Sequence, residues 1–194
     1  FTKCKPRKYS SKMRLLIAFI CFLTLLSLPS LSQQPKHLAI ALHYEGEEEV
    51  SYNSSPFIDH VLRKMKIPQK SSYCAAFVAY CLDSAQVKQP NIRSGMAQAY
   101  ITKKSISAGK VLRGEVTIPT GSIVIWKRGT TPYGHAGFTT LPWKGVEGYT
   151  IEANTSSGQR GSQYNGDGIY QRRRSIQPGA AFRITHFTLV TYEP

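Results

Sequence analysis

The chain has 194 residues, of which 41% are hydrophobic, and 25 Lys and Arg against 11 Asp and Glu give it a net charge of +14. This length and apolar content suit one domain of ordinary size with its own core. The positive charge favours anionic partners such as cell-wall polymers or lipid headgroups. No nucleic-acid recognition motif accompanies it, so we expect no nucleic-acid partner.

The amino-terminal part predicts a secretory signal. From Met13 a short basic start leads into an apolar run, Leu15 to Leu28, followed by a small-residue cleavage site at Ser30-Leu31-Ser32. The run is short for a membrane span, although an uncleaved segment that anchors the protein in the membrane is the alternative. We expect residues 1–32 to be upstream residues and signal peptide, residues 33–194 to be the working domain, and the protein to be secreted or to reside in the periplasm or cell envelope.

Loss of residues 1–32 changes both the charge and the cysteine count. Six basic and no acidic residues leave, so 19 Lys and Arg remain against 11 Asp and Glu, a net charge of +8. Cys4 and Cys21 leave with them, and only Cys74 and Cys81 remain. Two cysteines in an exported protein ordinarily suggest a disulfide, so this pair has to be compared with the local geometry.

Apolar residues recur at helical spacing in the first half of the domain, where Pro35 precedes the first helix and Ser94 is expected to cap the last. The pattern predicts helices over residues 37–44, 57–66, 73–86 and 94–104.

Short β-rich runs separated by Gly and Pro fill the second half, with a Gly- and Ser-rich loop at 156–168. The predicted strands cover residues 121–128, 135–141, 148–154, 168–176 and 181–190. Helices followed by strands predict an α+β domain in which N-terminal helices pack on a C-terminal antiparallel sheet.

The two remaining cysteines differ in their expected chemistry. If Ser71 or Ser72 caps the third helix, Cys74 lies in its first turn, where free N–H groups and the helix dipole stabilise a thiolate. Cys81 lies seven residues on, roughly 10 Å along the axis, which is too far for a disulfide. No CxxC or HxxxH pattern supplies a zinc site. Cys81 therefore has the character of a small buried apolar residue.

A nucleophilic thiol needs a base and a group that orients the base. His135 stands at the start of a predicted strand directly after Gly134, and the next strand supplies Glu152 and Asn154. Residues two apart in a strand face the same side, so both could point at one imidazole. A purely structural histidine at the strand edge is the alternative.

Four segments in this order resemble the CHAP family of cysteine, histidine-dependent amidohydrolases/peptidases. They are YCAAFVAYC (73–81), PTGSIVIWKRG (119–129), YGHAGF (133–138) and IEAN (151–154), and the resemblance runs from about His37 to Ile176. The sequence departs from the family at Ser122, where an aspartate is common.

The resemblance implies a papain-like fold and cleavage of bacterial peptidoglycan at the N-acetylmuramoyl-L-alanine bond or within its peptides. It implies Cys74 as nucleophile, His135 as general base, and Glu152 and Asn154 as the orienting and polar partners in the catalytic set. Such a reaction requires no metal or other cofactor. We expect a monomer whose partner is peptidoglycan, with anionic wall polymers as further partners and membrane contact only through an uncleaved signal segment.

Aromatic residues near these motifs are candidates for substrate contact, because aromatic faces suit sugars and peptides. They are Tyr73, Tyr133 and Trp143, for which core packing is the alternative, as it is for Trp126. The run Arg172 to Arg174 indicates either contact with anionic polymer or a solvated strand face. At the level of function, the alternatives are an inactive wall-binding or adaptor domain of the same fold, a cysteine protease acting on proteins, and an acyltransferase.

Overall fold

The structure is a computed structural model that describes residues 34–157 and 166–193. The predicted signal segment with Cys4 and Cys21, and most of the predicted loop at 156–168, lie outside the described residues. Within the described ranges, no helix has the length and apolar character needed to cross a membrane.

Within the described residues, three α-helices precede the sheet, close to where the sequence predicts them. Helix α1 spans Lys36–His43, α2 spans Pro56–Lys64 and α3 spans Cys74–Ser84. Helix α2 begins with proline at its first position, and the Ser55 hydroxyl accepts a hydrogen bond from the Ile58 N–H at 3.1 Å, which satisfies one of the free N–H groups of the first turn.

The predicted fourth helix over residues 94–104 is wrong except for one 3₁₀ turn, Ala97–Tyr100. Ser94 accepts from the Met96 N–H within a turn instead of capping a helix. The Gln98 side chain donates to the carbonyls of Thr131 and Tyr133 at 2.7 and 2.9 Å. These contacts tie the segment to the turn at residues 131–133, and tertiary contacts of this kind override helical propensity.

In the part of the chain that the structure describes, six antiparallel strands form one sheet: β1 Ile106–Ser107, β2 Ile123–Arg128, β3 Gly134–Thr139, β4 Glu147–Thr155, β5 Gly168–Ser175 and β6 Phe182–Thr188. Their order across the sheet is β1-β6-β2-β3-β4-β5. The expected α+β class with an antiparallel sheet is confirmed, although the short β1 and the short helix α4, Ala108–Leu112, were not predicted.

The sheet separates two apolar clusters, because successive strand side chains point to opposite faces. Ile125, Phe138 and Ile151 pack against the three long helices on one face. On the other face, Trp126 and Phe187 pack in a second cluster that includes residues of α4. Strand β2 is therefore apolar on both faces, with Ile123 and Ile125 towards the helices and Val124 and Trp126 in the second cluster.

Strands β3 and β4 pair only over Gly137–Thr139 and Thr150–Glu152. Beyond Gly137, towards the start of β3, the ladder with β4 ends and the N–H of Ala136 donates to the Cys74 sulfur instead. The start of helix α3 therefore meets the sheet at the end of this ladder, which brings Cys74 to the strand that carries His135.

Candidate active site

Helix α3 begins at Cys74 itself, one residue after Tyr73, and neither Ser71 nor Ser72 provides the expected side-chain cap. The first turn of a helix has N–H groups without intrahelical acceptors. One of these, the Ala75 N–H, donates to the Cys74 sulfur. The sulfur thus lies at the positive end of the helix dipole and accepts backbone hydrogen bonds from both α3 and β3, which favours its ionised form.

His135 lies between Cys74 and Glu152. Its Nε2 is 2.9 Å from Glu152 Oε2, and its ring also makes a hydrogen bond with the Cys74 side chain. Because Nε2 is occupied by Glu152, Nδ1 is the nitrogen left for the thiol. The imidazole is buried and packs edge-on against Trp126, with ring centroids 5.1 Å apart. The order thiol, imidazole, carboxylate is that of a nucleophile, a base and the group that orients the base.

Glu152 is completely buried, and both of its carboxylate oxygens are hydrogen-bonded. Arg174 donates from Nε to Oε1 at 2.7 Å and from Nη2 to Oε2 at 2.6 Å. The Thr150 hydroxyl donates to Oε1 as well. A buried carboxylate needs such donors because it has lost its water, and these hold the side chain in one orientation towards His135.

The electrostatics favour a charged Cys74–His135 pair. Burial raises the pKa of the Cys74 thiol, but hydrogen bonding to His135 and to backbone N–H groups outweighs burial and lowers the pKa below its usual value. Burial alone would lower the pKa of His135, but the hydrogen bonds of its ring with Cys74 and Glu152 outweigh burial and raise the pKa to about 9. Both shifts favour the ion pair of thiolate and imidazolium over the neutral pair.

Glu152 stays ionised next to this pair. Its burial raises the carboxyl pKa, but the hydrogen bonds and charges of Arg174 and His135 hold that pKa far below its usual range. The carboxylate therefore stabilises the imidazolium and fixes the tautomer of the neutral ring.

Gly137 permits the close approach of Glu152 to β3. A Cβ at this position would lie 2.6 Å from the Ile151 carbonyl oxygen and 2.8 Å from Glu152 Cγ. Both distances are shorter than any ordinary contact. A side chain here would therefore displace Glu152 from His135.

Asn154 is not the second partner of His135 that residue spacing predicts. Its backbone is in the left-handed region, φ 53°, and a bulge follows Ala153, so the two-residue alternation of β4 ends there. Its side-chain oxygen accepts from the Gly166 N–H at 3.1 Å, and its own N–H donates to the Tyr73 hydroxyl. Asn154 therefore joins the end of β4 to neighbouring segments, and among the described residues Glu152 alone orients the imidazole.

The three aromatic candidates for substrate contact have different positions. Tyr73 and Trp143 are each only 1% exposed, the first with its hydroxyl donating to Glu49 at 3.1 Å and the second packed with Phe187 on the far face of the sheet. Neither has a surface to offer a substrate, which corrects the assignment made from sequence. Tyr133 is 69% exposed and lies two residues before His135, so its ring, unlike the other two, is open to solvent beside the candidate site.

Cys81 is fully buried in the interior of α3, and both described cysteines are free, as the helical spacing predicted. Burial raises the pKa of its thiol well above the usual value, and no partner offsets that effect. Cys81 is therefore chemically inert at neutral pH, in contrast to Cys74.

Arg174 is the site residue that sequence reasoning missed. In the sequence, Arg172 to Arg174 form one run of positive charge, although adjacent strand residues face opposite sides. Across the β4–β5 ladder, Thr150 pairs with Arg172 and Gly148 with Arg174, so Arg172 and Arg174 share the face of Glu152. With the register between β4 and β5 known, Arg174 is assigned to the face of Glu152 and Arg173 to the opposite face. Arg173 is exposed and pairs with Glu147.

Comparisons with protein-family models, with curated proteins and with solved structures gave no match to this chain. Within residues 34–157 and 166–193 there is also no group of three or more His, Cys, Asp or Glu side chains that could hold a metal ion. The chemical interpretation of the site consequently depends on its own geometry and on the sequence motifs that compose it.

Proposed function

We propose that this protein is an exported cysteine amidohydrolase or peptidase of the CHAP type, papain-like in fold, which hydrolyses amide bonds of bacterial peptidoglycan. The observation that carries the proposal is the buried series Cys74–His135–Glu152, with the thiol at the start of a helix. Lowered thiol pKa and raised imidazole pKa at adjacent groups are the electrostatic conditions of a nucleophilic cysteine. The motif order from residue 73 to residue 154 supports peptidoglycan as the substrate.

The reaction is acyl transfer in two steps. The Cys74 thiolate attacks the amide carbonyl carbon, and the electron pair of the C=O bond moves to the oxygen. The tetrahedral species collapses as the C–N bond breaks and His135 Nδ1–H protonates the leaving amine, which gives a thioester. A water molecule then gives a proton to His135 and attacks the thioester carbonyl. Collapse releases the carboxylic acid and restores the thiolate.

Backbone N–H groups at the start of α3 are the natural donors for the oxyanion in both steps. The first intrahelical hydrogen bond of this turn runs from the Phe77 N–H to the Tyr73 carbonyl, so the Cys74 N–H has no intrahelical acceptor. Such a donor is already oriented and needs no reorganisation as negative charge develops on the carbonyl oxygen.

The test is hydrolysis of purified bacterial cell walls by the protein, followed as loss of turbidity, with mass analysis of the released fragments to identify the bond. Cys74→Ala and His135→Ala should each abolish release, while Cys81→Ala, a matched change in the same helix, should retain it. Walls left intact by the unmodified protein, or cleaved equally by Cys74→Ala, would contradict the proposal. Cleavage of unrelated proteins at a comparable rate would indicate a protease of broader specificity.

A further inference from the structure

Arg174 contacts the candidate site without belonging to the set of residues that the sequence motifs imply. Its guanidinium forms two parallel hydrogen bonds with Glu152, at 2.7 and 2.6 Å, and a third with the Thr155 hydroxyl at 3.0 Å. The side chain is only 15% exposed, and Glu152 is completely buried. Bidentate pairs of this kind are among the strongest polar contacts in proteins, and they fix the orientation of the carboxylate.

Charge counting gives this contact a chemical consequence. Cys74, His135, Glu152 and Arg174 form one contiguous buried group, and with a thiolate and an imidazolium their charges sum to zero. Without the guanidinium, the carboxylate alone would balance the imidazolium, and ionising the thiol would leave one uncompensated negative charge away from water. Such a charge is costly, so the thiol would keep its proton to a higher pH.

We propose that Arg174 is a positioning residue that balances the charge of the Cys74–His135–Glu152 group and thereby allows Cys74 to be a thiolate at neutral pH. This inference rests on the proposed function in so far as a thiolate is the nucleophile of that reaction. Arg174 acts through Glu152 and touches no reacting atom.

The forked shape of the guanidinium matters as well as its charge, because it fixes the orientation of the Glu152 carboxylate. Arg174 Nη2 and His135 Nε2 both contact the same oxygen, Glu152 Oε2. A lysine at position 174 would keep the charge but could not hold both carboxylate oxygens at once. We therefore expect Arg174→Lys to preserve part of the effect and Arg174→Gln to remove it.

Other titratable groups around Cys74 do not supply the missing charge. The Tyr100 hydroxyl donates to the Ala75 carbonyl, and burial raises its pKa to about 12. Burial together with the nearby Glu49 carboxylate raises the pKa of Tyr73 well above its usual value. Both tyrosines stay neutral over the working range, and Glu49 brings further negative charge. The cations in direct contact with the catalytic group are His135, which contacts Cys74, and Arg174, which contacts Glu152.

Arg173 provides a matched control in the same strand. It is exposed, faces the opposite side from Arg174, and pairs with Glu147 at the surface. Arg173→Gln therefore removes one positive charge from the same segment without touching Glu152.

The experiment measures the rate at which iodoacetamide alkylates Cys74 in the folded full chain as a function of pH, with the modified cysteine identified by peptide mass spectrometry. The unmodified protein should show a midpoint below that of an ordinary thiol. Arg174→Gln should raise the midpoint by about one pH unit or more, Arg174→Lys by less, and Arg173→Gln not at all. Buried Cys81 should stay unmodified in the folded protein and serves as an internal reference.

A folded Arg174→Gln protein with the midpoint of the unmodified protein would overturn the proposal. If circular dichroism shows that Arg174→Gln does not fold, Arg174→Lys decides the question, and a midpoint equal to that of the unmodified protein overturns it. The measurement uses no wall substrate. A protein that fails to cleave cell walls but shows the expected alkylation shifts would contradict the proposed function and leave the role of Arg174 supported.

Discussion

Two buried histidines in this molecule experience opposite electrostatic effects. His135 lies beside a thiol and a carboxylate, and its pKa is raised to about 9 despite burial. His37, in α1, has its Nε2 2.7 Å from the Gly121 carbonyl oxygen and its Nδ1 2.8 Å from the Tyr192 hydroxyl, and burial lowers its pKa to about 4. Burial alone makes a histidine neutral, and ionised partners are needed to keep one charged.

The tautomer of each ring follows from the same partners. A carbonyl only accepts, so His37 Nε2 carries the proton and Nδ1 accepts from the Tyr192 hydroxyl. His37 is therefore a structural link between α1, the turn before β2 and the end of the described chain. His135, in contrast, has anionic groups on both sides and can hold two protons.

The largest expected difference between the two regions is in activity. His135→Gln should lower the rate of wall hydrolysis by about 10³-fold or more, because the thiolate loses its cation and the leaving amine loses its proton donor. His37→Gln should change the rate per folded molecule by less than about threefold, since it touches no reacting group. Initial rates of wall hydrolysis, normalised to the folded fraction, compare the two directly. Equal losses in both variants would mean that His135 has no special chemical role.

Replacement of the Glu152 carboxylate should lower the pKa of His135 and so bring this residue closer to the neutral state of His37. Glu152→Gln keeps the shape of the side chain but removes the charge that raises the pKa of His135, and we expect a loss of about 10²- to 10⁴-fold in kcat/KM.

The pH profile of kcat/KM shows in which direction Glu152 shifts the pKa of His135. Activity rises with pH as Cys74 loses its proton, and it falls as pH passes the His135 pKa of about 9, because the imidazolium is then lost. In Glu152→Gln this alkaline limb should move to lower pH. A profile of kcat/KM whose alkaline limb stays in place would show that Glu152 does not act on His135.

Stability should depend on pH through His37 with a definite sign. Its pKa is about 4 in the folded protein against 6.5 for the ordinary group, so the unfolded chain binds the proton more tightly. The contribution is fully present above pH 6.5 and is lost between pH 6.5 and 4, on the order of 3 kcal/mol in the free energy of unfolding.

Urea unfolding of the unmodified protein and of His37→Gln at pH 7 and pH 4 measures this contribution. The His135 pKa is shifted in the opposite direction in both proteins, so the difference between them isolates His37. We expect the free energy of unfolding to fall more steeply towards pH 4 in the unmodified protein. The same slope in both would contradict a neutral buried His37.

Much of the site was predictable because it depends on local pattern. The spacing of apolar residues placed Cys74 at the start of a helix and His135 at the start of a strand, and period-two alternation favoured Glu152 as its partner. The orientation of Asn154 could not be predicted in this way, because a bulge in β4 reverses the alternation and the spacing of residues in the sequence does not reveal the bulge. The contact of Arg174 with Glu152 could not be predicted either, because it depends on the register between β4 and β5, which is defined only by the pairing of the two strands.

Substitutions of Cys81 have the smallest expected effect among these predictions. Because Cys81 lies in the same helix as Cys74, they are also the closest control for the chemistry of the Cys74 thiol. Cys81→Ala removes a buried sulfur with no polar partner and should reduce the free energy of unfolding by about 1 to 2 kcal/mol, with wall hydrolysis unchanged. Cys81→Ser should cost more, because it buries a hydroxyl among apolar neighbours that offer no hydrogen bond. Urea unfolding of the two variants at pH 7 orders them, and an unchanged rate per folded molecule in both would locate the reactive thiol at Cys74. A loss of hydrolysis in Cys81→Ala that exceeds its loss of folded protein would instead assign Cys81 a part in the reaction, which its complete burial and raised thiol pKa argue against.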